Sequence, residues 1–96
     1  MPTLLNDTAI TAALTGLDGW SGDAAGLHRT VELADFPTAI ATVDSVARVA
    51  EEMDHHPDMD IRWRTVTFAC ATHSAGGVTE LDVALARRIN EIVSAA

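Results

Sequence analysis

A chain of 96 residues with two tryptophans, two phenylalanines and no tyrosine makes one small domain, residues 1–96, whose thin core self-association would help to bury. Its net charge of -8 excludes nucleic-acid phosphates and anionic membranes as natural partners, and no apolar run nears the ~20 residues of a membrane span. One cysteine, Cys70, cannot form an internal disulfide, and the opening M-P-T-L-L-N-D-T lacks a signal peptide's basic start and apolar run; both fit a soluble, cytoplasmic protein.

Asn6 or Asp7 can cap a first helix with Ile10, Ala13, Leu14 and Leu17 on one side and Gly16 near its end. Trp20–Asp23 and Leu27–Leu33 read as two strands joined by D-A-A-G. In the second strand Leu27, Arg29, Val31 and Leu33 share one face, and His28, Thr30 and Glu32 take the other. Asp35 caps a second helix that tolerates Pro37 in its first turn. Phe36, Ile40, Val43, Ala47 and Ala50 recur at helical spacing, and Val46, Val49 and Met53 widen the stripe beyond what one sheet face needs. The surplus points to a second partner surface.

Ile61–Val66 and Val66–Thr72 form a hairpin of two further strands. Val66, Phe68 and Cys70 alternate with Thr67, Ala69 and Ala71, and His73 continues the second face. S-A-G-G is a loop, after which Thr79 opens a last helix carrying Leu81, Leu85, Ile89 and Ile92. The order α-β-β-α-β-β-α predicts an α+β fold, a four-stranded antiparallel sheet with helices packed on one face.

The chemistry concentrates in E-E-M-D-H-H-P-D-M-D-I-R-W, Glu51 to Trp63. Pro57 disfavours helical geometry at His56, so the second helix should end around Asp54 or His55. The adjacent rings of His55 and His56 then diverge at a helix-to-strand junction. Glu51, one helical turn before His55, could orient that ring. An ordinary imidazole titrates near pH ~6.5 and suits proton transfer at neutral pH. Pairing of the last two strands returns His73 toward Pro57, so three imidazoles converge at a strand edge, with Trp63 as a flat apolar wall for a small planar substrate.

Plainer readings stand beside these. His28 is a surface residue on the polar side of its strand, and Cys70 is packing. T-E-L-D, Thr79 to Asp82, fits a capping box that accounts for Asp82 without chemistry. Trp63 can be core, and Glu51 with Glu52 a solvated helix end. Three histidines could bind zinc, but adjacent histidines diverge and no CxxC or HxxxH supports a compact site; the expectation is no metal.

Taken as one pattern, Glu51, His55-His56-Pro57, Trp63, His73 and Asp82 resemble the pterin-4a-carbinolamine dehydratase signature at every spacing. T-H-S-A-G-G-V-T-E-L-D, Thr72 to Asp82, is similar to the family's T-H-x-x-x-G-[LV]-T-x-x-D. The resemblance covers nearly the whole chain, including Gly19-Trp20 and Asp35-Phe36. It implies dehydration of 4a-hydroxytetrahydropterin to quinonoid dihydropterin, without metal or organic cofactor, in tetrahydropterin recycling. It implies His55 and His73 as acid and base, His56 as mainly gripping the pterin, and Glu51 as orienting His55. Pro57, Trp63, Asp82 and Trp20 would complete the substrate contacts. Members dimerise through their sheets and some form tetramers through the second helix, so a homodimer or homotetramer is expected. The chain departs from many relatives at Met59, where they carry tryptophan, and at Trp63, where they carry tyrosine. The rival implication is a non-enzymatic dimerisation cofactor or assembly module on the same fold.

Overall fold

The computed structural model describes residues 2–96. Helix α1 (Asp7–Thr15) leads to strands β1 (Ser21–Asp23) and β2 (Gly26–Glu32), then helix α2 (Phe36–Met53), strands β3 (Asp58–Arg62) and β4 (Thr65–Cys70), a short 3-10 turn (His73–Ala75) and helix α3 (Glu80–Ala95). The sheet has the order β1-β2-β4-β3 with every neighbouring pair antiparallel. The expected order of elements and the α+β class hold.

One sheet face is the core. Leu27, Val31, Leu33, Val66, Phe68 and Cys70 alternate onto it and meet Ile10 and Leu17 of the first helix region, Val46 and Val49 of α2, and Val83, Leu85 and Ile89 of α3. Period-2 alternation leaves the other face to His28, Thr30, Glu32, Asp58, Asp60, Thr67 and Ala69. That open face is polar, as one solvated side of an antiparallel sheet usually is.

Three expectations are corrected. The buried stripe of α2 runs through Ala39, Thr42, Val46, Val49 and Ala50, while Phe36, Ile40 and Ala47 face outward. Counting apolar residues missed it because Thr42 is buried with its hydroxyl satisfied by the Thr38 carbonyl at 2.8 Å. The surplus apolar surface of α2 therefore lies at Phe36 and Ile40, 47% and 41% exposed, not at Val46 and Val49.

β3 begins at Asp58, three residues earlier than Ile61, and ends before a two-residue turn of Trp63 and Arg64. Pairing with β4 imposes strand geometry on D-M-D, a run whose local preference is weak. Trp63 takes the left-handed region (φ 54) with the Arg64 guanidinium stacked 4.7 Å from its ring centroid.

The end of α2 is built more firmly than Pro57 alone requires. Asp54 is left-handed (φ 51), its N–H donates to the Glu51 carbonyl, and the His55 N–H donates back to Ala50. This pair of bonds closes the helix in a Schellman motif and fixes the backbone of His55. At the opposite edge of the same region, Gly77 lets the loop after β4 close on the β1–β2 turn; a Cβ there would stand 2.5 Å from the Ala24 carbonyl.

Candidate active site

Thr79 caps α3, and Asp82 completes the capping box, accepting the Thr79 N–H at 2.8 Å through Oδ2. The same oxygen accepts the Thr72 hydroxyl at 2.8 Å, and Thr72 lies 2.7 Å from the Thr79 hydroxyl. The second oxygen, Oδ1, is 2.6 Å from His55 Nε2. Asp82 is fully buried and His55 nearly so. A buried carboxylate is tolerable only when its lone pairs are filled, and here three donors and the N-terminus of α3 fill them. Because the carboxylate accepts, His55 donates from Nε2, and its Nδ1 is the nitrogen that can take or give a proton.

Asp82 was expected to touch the substrate. It is fully buried, with Oδ1 turned to His55. The capping reading and a site role coincide in one carboxylate, each using a different oxygen.

His56 turns the other way and pairs with Glu51, Nε2 to Oε2 at 2.6 Å, in the open. Glu51 was expected to orient His55. That expectation assumed the helix continued to His55, where residues four apart share a face. The left-handed turn at Asp54 instead sends His55 to Asp82 of α3 and returns His56 over the last turn of α2. Both histidines thus carry a carboxylate on Nε2, one buried and one exposed.

β4 returns toward Pro57 as expected: Asp58 pairs with Ala69. His73 follows Thr72 and opens the 3-10 turn, exposed, on the rim of a cleft of about 420 Å³ over the open sheet face. Pro57, half-buried, stands at the start of β3 beside His56. The tryptophans are elsewhere. Trp63, 70% exposed, sits at the far end of β3, about 16 Å of strand away from Pro57, so it does not wall the histidines within one chain. Trp20 is buried in the core, its indole N–H donating to Asn90 at 2.7 Å, because a buried indole needs a partner; it does not face the cleft.

Two residues of the cleft were missed. His28 and Asp58 line it with His73, and the alternation that placed His28 on the polar face would have found it had the strand register been known. Burial, with the charges of Asp82 and Asp58 adding, pushes the Cys70 thiol up to about 12, which keeps it a protonated packing group. Among the described residues no three histidine, cysteine or acidic side chains are grouped to hold a metal ion, and no helix is long and apolar enough to cross a membrane.

Residues 3–92 match the family described as pterin 4 alpha carbinolamine dehydratase. The chain belongs to that family. A Nocardia farcinica protein provisionally named a pterin-4-alpha-carbinolamine dehydratase is 54% identical over 93% of this chain and 94% of its own. A Mycolicibacterium smegmatis protein with the same provisional name is 54% identical over 98% and 99%. Among solved structures, a transcriptional coactivator/pterin dehydratase from Brucella melitensis superposes with a TM-score of 0.88 at 38% identity, covering 92% of this chain and 96% of that one. A pterin dehydratase-like RuBisCO assembly factor of the alpha-carboxysome shares the fold alone, at 20% identity and a TM-score of 0.62 over 76% of this chain and 84% of that one.

Proposed function

We propose that this chain removes water from a 4a-hydroxytetrahydropterin, giving the quinonoid dihydropterin, by histidine acid/base catalysis. The C4a–O bond breaks as the oxygen takes a proton and leaves as water; the N5 proton passes to a base and a C4a=N5 double bond forms. No electron is gained or lost overall, so the residues need only move protons and hold the ring.

His55 and His73 are the proton-transfer groups in this reading. The observation that carries it is the 2.6 Å contact from His55 Nε2 to Asp82 Oδ1 within a fully satisfied buried network. A scaffold gains little stability from an arrangement that desolvates a carboxylate and an imidazole together, whereas a catalyst gains a ring fixed in orientation and tautomer. The exposed His56–Glu51 pair grips the substrate. The test is the rate of quinonoid dihydropterin formation from freshly generated carbinolamine, with and without the protein. Acceleration lost in His55→Ala supports the reading; a wild-type rate equal to buffer refutes it.

The reading includes self-association. Phe36 and Ile40 lie one helical turn apart and leave an apolar ridge on α2 open to water, the kind of surface a second copy covers.

A further inference from the structure

Between the strands that flank the cleft, the register sets out a complete row on the open sheet face: His28 of β2 pairs with Ala69 of β4, which pairs with Asp58 of β3. One step along, carrying the β2–β4 register on, Gly26 stands across from Ala71. Gly26, Ala69 and Ala71 form a floor without side-chain bulk, and His28, Asp58 and His73 rise round it. His28 and Asp58 are two strand spacings apart, about 9.5 Å at the backbone. A flat bicyclic ring can lie on such a floor only with its long axis across the strands, one end at each polar wall.

The chemistry of the ends decides the direction. The 2-amino and N3–H groups of a pterin form a pair of parallel donors at one end of the ring, and the C6 substituent leaves from the other. A carboxylate is the partner for paired donors, since it accepts two hydrogen bonds side by side and has none to give. An imidazole both donates and accepts, and suits hydroxyl groups. We infer that Asp58 holds the 2-amino/N3–H edge of the pterin and that His28 reads the C6 side chain, so that His28 sets a preference for hydroxylated over bare alkyl side chains. The inference rests on the dehydratase reading and adds to it two residues and an orientation; His73, on the rim between them, faces the middle of the ring where C4a and N5 react.

Two substrates test it: carbinolamines carrying a 6-(1,2-dihydroxypropyl) or a 6-methyl group. The wild type is expected to favour the first. His28→Ala should shrink the ratio of the two kcat/KM values about 3- to 10-fold, the worth of one or two neutral hydrogen bonds, and His28→Asn should restore part of it. Asp58→Asn should lower kcat/KM for both substrates by a common factor of about 10 or more, chiefly through KM. Both positions are exposed, and circular dichroism confirms the fold of each variant. A ratio unchanged in His28→Ala, or a KM unmoved in Asp58→Asn, overturns the inference. Should the wild type dehydrate neither substrate, the dehydratase reading fails by itself. Calorimetry with the unreactive 7,8-dihydropterins of the same side chains then decides the cleft: a side-chain preference in Kd that vanishes in His28→Ala upholds it, and equal Kd values for both ligands refute it.

Discussion

Asp82 Oδ1 stands 2.6 Å from His55 Nε2 across a separation of 27 residues, joining the first turn of α3 to the junction that ends α2. This contact ties the helix cap to the candidate chemistry. On the proposed reading, a change at either residue should be felt in both stability and rate.

Asp82→Asn is the direct consequence. Asp82 accepts from His55, Thr72 and Thr79, and an amide turns one of its two oxygens into a donor. An amide nitrogen on the Oδ2 side meets the Thr79 N–H donor to donor, at a cost of about 1–3 kcal/mol. On the Oδ1 side it forces His55 Nε2 to accept and moves that ring's proton to Nδ1. Urea unfolding should show that loss, and kcat should fall at least ~10-fold as His55 loses its orientation. A variant with full activity and a loss near the low end would leave only the cap.

Glu51→Gln should behave differently. The Glu51–His56 pair is exposed on both sides, and pairs of that kind are worth about 0–1 kcal/mol. Thermal unfolding should hardly move, while KM for the pterin rises more than kcat falls. A drop confined to kcat would assign His56 a proton-transfer part.

The contrast between these two carboxylates shows where the sequence ran out. Both lay in view as candidates, and the helix spacing of Glu51 and His55 favoured the wrong pair. The choice depends on the left-handed turn at Asp54, which an aspartate does not announce as a glycine would. The caps at Asn6, Asp35 and Thr79 were readable because a side-chain oxygen before an apolar run carries its own mechanism. β3 was misplaced by three residues because its pairing with β4, not its composition, makes it a strand. Trp63 looked like a wall because it is large and apolar; only the hairpin geometry shows it at the opposite end of β3.

Cys70 gives a check on the packing between sheet and helices. Its thiol, raised to about 12 chiefly by burial, stays protonated at pH 8, and the thiolate is the reactive form. Ellman's reagent should label the native protein slowly and the urea-unfolded protein at once. Prompt labelling of the native state would mean that the face of β4 toward Asp82 opens to solvent.

The ridge of Phe36 and Ile40 predicts concentration-dependent mass. Light scattering at micromolar concentration should give at least a dimer, and Phe36→Asp with Ile40→Asp should lower the mass while leaving the helical circular dichroism in place. A clean monomer for the unaltered protein would assign that ridge no partner of its own kind.

The dehydration assay with His55→Ala bears most directly on the central claim. Freshly generated 4a-hydroxytetrahydropterin is mixed with wild type and with the variant, and quinonoid dihydropterin is followed against the uncatalysed rate. Wild type should exceed buffer, and His55→Ala, still folded, should lose about 10²–10⁴-fold of the catalysed rate, the worth of one acid/base group. A folded His55→Ala protein that dehydrates the carbinolamine as fast as wild type would contradict the claim that the His55–Asp82 pair does the chemistry.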